Sequence, residues 1–99
     1  MNLVSNNDAK VALVKSVEFG TVVLTKHFRE ELKNDDFTME DVLLVCRSGS
    51  IRTAPEPDIR TGDWKHRIEG FTLDGRSLAV VFCVRTNDVV FITVFGTRS

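Results

Sequence analysis

In the first third of the chain, apolar residues recur at the three- and four-residue spacing of amphipathic helices. Ala9, Leu13 and Val17 carry this pattern, which predicts a helix over residues 7–17. The polar run Ser5–Asp8 supplies residues that cap helix N-termini, and Gly20 ends the pattern. The chain is therefore predicted to open with a capped amphipathic helix.

A short β-branched run and a second helix follow. Thr21–Leu24 predicts a strand, and Thr25 is suited to cap a helix over Lys26–Lys33. Phe28 and Leu32 lie four residues apart, which places both on one face of that helix. The polar residues 34–36 end it.

A capping box gives the clearest local signal. Thr38 occupies an N-cap position, and the carboxylate of Asp41 follows three residues later. Phe37 is placed to pack on Val42 as a hydrophobic staple. The pattern predicts a third helix that ends at Gly49, with that glycine in a left-handed conformation.

After Gly49 the apolar period changes from about 3.6 to two, which indicates strands. The residues Pro55–Asp58 interrupt the first of them, and a loop continues to Asp63. The segment 77–85 is apolar on both faces and is predicted to be a central strand. Four strands are predicted in a meander, over residues 50–54, 64–69, 77–85 and 89–95.

The turn Asp74-Gly75 predicts a hairpin whose register has two readings. If these two residues form the loop, facing residues have numbers that sum to 149, so that His66 faces Cys83. That register places the charged Arg67 beside Phe82. Alternatively, a bulge at Gly70 shifts the register by one residue. The sequence leaves this choice open.

Helices followed by strands predict an α+β fold, with N-terminal helices packed on a curved antiparallel β-sheet. One domain is expected over residues 1–99, with residues 1–20 as a helical extension and residues 21–96 as the core.

Composition narrows the class of protein. The 99 residues are 42% hydrophobic with a formal charge of −1, which excludes a disordered chain and argues against a strongly basic nucleic-acid binder. No apolar run is long enough to span a membrane, and no secretory signal is recognisable. Cys46 and Cys83 are expected to be buried free thiols, and a cytoplasmic location is expected.

The charge is unevenly distributed. Residues 1–50 carry six Lys/Arg and eight Asp/Glu, whereas residues 51–99 carry seven and six. Six of the seven basic residues of the second half lie in or near the predicted strands, where they either form a phosphate-binding patch or are solvated strand-end charges. These residues are Arg52, Arg60, Lys65, Arg67, Arg76 and Arg85.

The triplet Lys65-His66-Arg67 suggests RNA cleavage without a metal, which needs a base, an acid and cations for the phosphorane charge. Strand alternation places His66 on the face opposite Lys65 and Arg67, so a half-buried structural histidine is the alternative. His27 precedes Glu30 and Glu31, but no further histidine or cysteine completes a metal site. No cofactor-binding motif is recognisable, and no cofactor is expected.

Three stretches carry a resemblance to a known family: Leu24–Phe28, Phe37–Val42, and the hairpin from Asp74 through Val81 to Phe95. They resemble the bacterial domain-of-unknown-function family 4258, which is similar to RelE/ParE, BrnT and MqsR toxins. The resemblance implies two helices on a curved antiparallel sheet and a metal-independent endoribonuclease restrained by an antitoxin.

The resemblance also implies a site. His27 matches the family's histidine at the strand–helix junction, and Arg76 follows the hairpin Asp-Gly. The expected catalytic residues are His27, His66, Arg67 and Arg76, and Arg52, Lys65 and Arg85 are expected to bind RNA. Arg67, Arg76, Arg85 and a histidine are then expected to converge on one concave face of the sheet.

The alternative function is a non-catalytic module that binds another protein, such as an immunity or regulatory partner. It is favoured by the near-neutral charge and by the absence of tyrosine, an acid/base residue in many RelE-type nucleases. The apolar final strand Val89–Phe95 is expected to be free to pair as a sheet edge under this alternative. The oligomeric state stays open.

Overall fold

The computed structural model describes residues 3–59 and 61–97. It contains three helices and six strands, which confirms the predicted α+β class. In chain order the elements are α1 (Asn6–Phe19), β1 (Val22–Leu24), α2 (Lys26–Asn34), α3 (Met39–Ser48), β2 (Ser50–Ile51), β3 (Glu56–Pro57), β4 (Trp64–Phe71), β5 (Ser77–Val84) and β6 (Val89–Gly96).

The N-termini of α2 and α3 form where the sequence predicts them, and α1 begins one residue earlier than predicted. The hydroxyl oxygens of Ser5 and Thr25 accept hydrogen bonds from backbone N–H groups in the first turns of α1 and α2. At α3 the capping box is complete, because Thr38 Oγ1 accepts from the Asp41 N–H at 3.2 Å and Asp41 Oδ2 accepts from the Thr38 N–H at 3.0 Å. Local sequence therefore fixes all three helix starts.

The sheet has the strand order β1-β6-β5-β4-β2, and β3 also pairs with β4. The prediction that 77–85 is a central strand is confirmed, since β5 lies between β4 and β6. The expectation that Val89–Phe95 is a sheet edge is wrong for Val89–Phe91. β1 pairs in parallel with Val89–Phe91, and α2 packs against the same strand.

The edge next to β4 also differs from prediction. The expected strand over 50–54 pairs only at Ser50 and Ile51, and the chain pairs again at Glu56 and Pro57, where a break was expected. Proline cannot donate a ladder hydrogen bond, so it is tolerated on an outermost strand. The prolines thus shorten this edge but do not remove it.

The register of the hairpin between β4 and β5 is set neither by a two-residue loop nor by a bulge at Gly70. His66 faces Phe82 and Ile68 faces Val80, so the register is shifted by one residue from the two-residue-loop alternative. The shift arises in the turn, because the Thr72 N–H donates to the Arg76 carbonyl at 2.9 Å and encloses a three-residue loop. Gly75 ends that loop with φ +84°, which glycine adopts without strain.

Gly70 and Gly49 have a packing role that differs from the predicted bulge and left-handed exit. Gly70 pairs regularly with Leu78, and a Cβ on it would lie 3.1 Å from Gly49 Cα. Gly49 is extended at φ −78°, and its Cβ would lie 2.5 Å from the Glu69 carbonyl oxygen. The two glycines therefore let the end of α3 cross closely over β4.

The hydrophobic core lies between the helices and one face of the sheet. Ala9 and Leu13 of α1 join it, and Phe28 of α2 packs on Phe91 with ring centres 5.3 Å apart. Cys46 is buried among these residues. Among the described residues, no helix has the length and apolar character needed to cross a membrane. None of the three helices of the described residues lies on the opposite face of the sheet, which we call the open face.

Candidate functional site

Alternation along β4 decides which side chains reach the open face. His66 and Ile68 are buried on the helix side, so Lys65 and Arg67 point to the open face. The hairpin register sets Arg67 beside Val81 and Glu69 beside Ala79. Each charged side chain therefore lies next to a small or medium-sized apolar neighbour, and the pairing of Arg67 with Phe82, which a two-residue loop would give, does not occur.

A bulge in β6 shapes the middle of the open face. Phe91 faces Phe82 and Thr93 faces Val81, so Ile92 is an extra residue in β6. The bulge lets Phe91 and Val94 both stay in the core, while Ile92, Thr93 and Phe95 line the open face. Strict alternation along the sequence would not place these residues in this way.

A cavity of about 220 Å³ lies on this face. The edge segment before and within β3 forms one wall, β4 forms the second, and residues of β5 and β6 form the floor. The lining residues are Thr53, Ala54, Glu56, Lys65, His66, Arg67, Val81, Ile92, Thr93 and Phe95. We call this the open-face cavity.

Arg67 is held across the floor of the cavity. Its guanidinium carbon lies 5.0 Å from the centre of the Phe95 ring, and its Nη2 donates to Glu69 Oε1 at 3.2 Å. Its Nε is buried and has no hydrogen-bond partner among the described residues. The packing of Arg67 therefore leaves one buried N–H donor without an acceptor, which costs folding free energy.

Glu56 faces Lys65 directly across the β3–β4 pair. The two side chains border the same cavity, and Glu56 is exposed. Sequence reasoning missed Glu56, because Pro55 and Pro57 mark its surroundings as a break between strands. The alternation of polar and apolar residues over 64–69 indicated a strand, but nothing in the sequence indicated that residues 56–57 pair with it.

His66 does not offer a base to this cavity. Its ring stacks on Phe82 with centres 5.6 Å apart, and both ring nitrogens are buried without partners in the described part of the chain. Burial lowers the pKa of His66, so the imidazole is held neutral. The structural alternative for His66 thus fits the observed burial.

The structure does not bring His27 and Arg76 to the open-face cavity. His27 is exposed in the first turn of α2, in the helix layer. Arg76 lies at the hairpin, where it forms ion pairs with Asp74 at 3.1 Å and Asp41 at 3.6 Å. Its guanidinium also stacks on Phe37 at 4.6 Å, so Arg76 links the hairpin to the start of α3.

The remaining basic residues are distributed along the sheet. Arg52 is exposed directly after β2 and immediately precedes the cavity residues Thr53 and Ala54. Arg85 borders a neighbouring cavity and is paired with Asp88 at 2.7 Å. Arg60 falls outside the described residues. Of the expected RNA-binding and catalytic set, the cavity therefore brings together the side chains of Lys65 and Arg67.

The two cysteines are free and buried, as predicted. Burial raises the pKa of the Cys83 thiol to about 11 and that of the Cys46 thiol to about 12. Both are therefore protonated at neutral pH and poor nucleophiles. Within residues 3–59 and 61–97, no three His, Cys, Asp or Glu side chains cluster in a way that would hold a metal ion.

These features define an α+β domain with three helices on one face of a mostly antiparallel sheet and a charged cavity on the other. The chain belongs to the family described as a domain of unknown function, DUF4258, whose model matches residues 24–96. No curated protein and no solved structure matches the chain. This match confirms the resemblance to that family, and it begins just before the Thr25 cap.

Proposed function

We propose that this domain binds RNA in the open-face cavity and cleaves it without a metal ion. The observation that carries the proposal is that Lys65 and Arg67 border one concave cavity together with the Glu56 carboxylate. Two cations suit a phosphodiester and the additional negative charge of its transition state. A carboxylate beside them supplies an acceptor for a proton.

The floor of the cavity suits the nonpolar part of a nucleotide. Ile92, Val81 and the Phe95 ring provide apolar surface beside the two cations. Single-stranded RNA is commonly held through its phosphates by basic side chains and through its bases by apolar and aromatic contacts. The Arg67 guanidinium would donate to a phosphate oxygen.

The proposal includes the similarity to RelE/ParE-type toxins that the resemblance implies, with RNA as substrate and an antitoxin as partner. The family match supports membership in the family of unknown function only. The relationship to toxins rests on the resemblance alone. The site differs from the one that the resemblance implies. The proposed cavity uses Lys65 and Arg67, and it uses neither His27 nor Arg76.

The test uses the purified chain and a fluorescein-labelled single-stranded oligoribonucleotide. Arg67→Gln and Lys65→Gln are each expected to weaken binding about tenfold, because each removes a charge-assisted contact with phosphate. Each variant should also reduce the slope of log K against log salt by about 0.7, the value for one phosphate contact to a single strand.

Arg29→Gln is the matched control, because Arg29 is an exposed cation on α2 in the helix layer. It removes the same charge from the chain and is expected to leave both binding and the salt slope as in the wild type. Equal weakening by all three variants would contradict a site in the open-face cavity, and so would an oligoribonucleotide that neither binds nor is cleaved.

Binding of another protein is the second candidate function, and one observation favours it. Leu73 at the hairpin tip is 94% exposed, and it borders a cavity of about 310 Å³ with Leu43 and Leu44 of α3. An apolar tip of this kind is typical of an interaction site. Under this function, Leu73→Ser abolishes association with the product of a neighbouring gene, while RNA stays intact.

A further inference from the structure

We propose that Glu56 is the general base of the cleavage reaction and takes the proton from the attacking 2′-hydroxyl of RNA. This inference rests on the proposed function and names a residue that neither the sequence nor the resemblance assigned. Glu56 pairs with Lys65 across the β3–β4 ladder and borders the open-face cavity with Arg67. It is exposed, so its carboxylate is accessible to a ligand.

The other proton acceptors near the cavity are already occupied or buried. The His66 nitrogens are buried on the helix side, and Glu69 is paired with Arg67 at 3.2 Å. The Cys83 thiol on the open face is protonated, because burial raises its pKa to about 11. Glu56 is the carboxylate that borders the cavity beside both cations.

Cross-strand pairing places the side chains of Glu56 and Lys65 next to each other on the same face of the sheet. Directly facing residues of an antiparallel ladder have Cβ atoms about 4.5–5.5 Å apart and side chains on the same face. A carboxylate and an ammonium at this separation can act on the two oxygens of one phosphodiester. The base and the acid of the reaction therefore come from the edge strand β3 and its neighbour β4, and Arg67 follows one alternation further along β4.

The chemical step balances with these three groups. Glu56 accepts the proton of the 2′-hydroxyl as its oxygen bonds to phosphorus, and the bond from phosphorus to the 5′-oxygen breaks. The Lys65 ammonium donates a proton to that leaving oxygen, and Arg67 offsets the charge of the phosphorane. The products are a 2′,3′-cyclic phosphate and a 5′-hydroxyl end, and solvent returns the proton from Glu56 to Lys65.

The experiment compares Glu56→Gln with Glu30→Gln, a matched control at an exposed carboxylate on α2. Single-turnover cleavage of an oligoribonucleotide is measured beside the affinity for its non-cleavable 2′-deoxy counterpart. Glu56→Gln is expected to slow cleavage at least about 100-fold, the usual contribution of a general base. It is expected to bind the 2′-deoxy probe as tightly as the wild type or more tightly, because a like charge is removed. Glu30→Gln should match the wild type in both measurements.

Failure of the inference differs from failure of the proposed function. Cleavage by Glu56→Gln within about threefold of the wild type would overturn Glu56 as the base and leave the cavity as the RNA site. A wild-type chain that cleaves no RNA would overturn both proposals. Glu56→Asp gives a second check, because it keeps the carboxylate and is expected to cleave faster than Glu56→Gln. Equal rates for these two variants would also overturn the assignment.

Discussion

The guanidinium of Arg67 lies over the ring of Phe95, with 5.0 Å between the guanidinium carbon and the ring centre. The two residues come from strands separated by β5, so their contact spans the open face. Arg67 is also paired with Glu69 at 3.2 Å. This arrangement fixes the direction of the guanidinium before any ligand arrives, which reduces the entropy lost on binding.

The contact between Arg67 and Phe95 is expected to contribute about 0.5–1 kcal/mol to the free energy of unfolding, as cation–π pairs at partly exposed sites do. A double-mutant cycle with Arg67→Gln and Phe95→Leu, followed by urea unfolding, measures this coupling. Arg85→Gln combined with Phe95→Leu is the control, because Arg85 is paired with Asp88. Additive effects for both pairs would show that the contact contributes nothing in solution.

His66 is expected to make stability fall at acid pH. Burial lowers its pKa in the folded chain, whereas the unfolded chain binds the proton at about 6.5. As pH falls through 6.5, the unfolded state gains a proton that the folded state does not, so the free energy of unfolding decreases. The slope approaches about 1.4 kcal/mol per pH unit for one proton until the folded pKa is reached.

His66→Phe isolates this effect. The variant removes two buried polar atoms without partners among the described residues and keeps an aromatic ring against Phe82, so it is expected to be as stable as the wild type at pH 7 or more stable. Its stability should change less between pH 7 and pH 5. Equal slopes in wild type and His66→Phe would contradict the prediction.

Lys10 is expected to stabilise the junction between α1 and α3. Its Nζ donates to the carbonyl oxygens of Cys46, Arg47 and Gly49 at 2.9, 2.9 and 3.0 Å. An ammonium at a helix C-terminus satisfies carbonyls that have no partner within the helix. Lys10→Met should therefore cost about 1–2 kcal/mol in thermal or urea unfolding. Lys15→Met, at an exposed lysine of α1, should cost little; equal losses would argue against this role.

Gly49 is expected to tolerate no side chain. A Cβ there would lie 2.5 Å from the Glu69 carbonyl oxygen and 2.6 Å from that of Val45, and both are backbone atoms. Gly49→Ala should cost about 2 kcal/mol or more, because the end of α3 has to move away from β4. Gly96→Ala is the control, since its Cβ would meet Phe37 at an ordinary 3.6 Å. Similar stability of the two variants would contradict the close crossing.

Much of the fold follows from local sequence. The caps at Thr25 and Thr38 form as predicted, and the cap of α1 falls within the predicted run Ser5–Asp8, because each depends on residues within one turn. The pairing of β1 with β6 and the turn that sets the hairpin register depend on neighbours far along the chain or on backbone conformation. The periodicity of apolar residues carries no information about strand partners or turn conformation. The sheet edge and the hairpin register could therefore not be predicted from local sequence as the caps were.

The candidate site was predictable only in part. Alternation on β4 correctly separated His66 from Lys65 and Arg67. The position of Glu56 depends on an edge strand between two prolines, and that of Ile92 depends on a bulge within an apolar run. The resemblance pointed to His27 and Arg76, which the fold places in the helix layer and at the hairpin. The structure therefore does not support His27 and Arg76 acting together in the open-face cavity.

Single-turnover cleavage of a labelled oligoribonucleotide by the purified chain, in the presence of a chelator, tests the central proposal most directly. We predict fragments that end in a 2′,3′-cyclic phosphate, with cleavage at least about tenfold slower for Arg67→Gln and unchanged for Arg29→Gln. Intact RNA with excess wild-type chain, or equal cleavage by wild type and Arg67→Gln, would contradict the proposal.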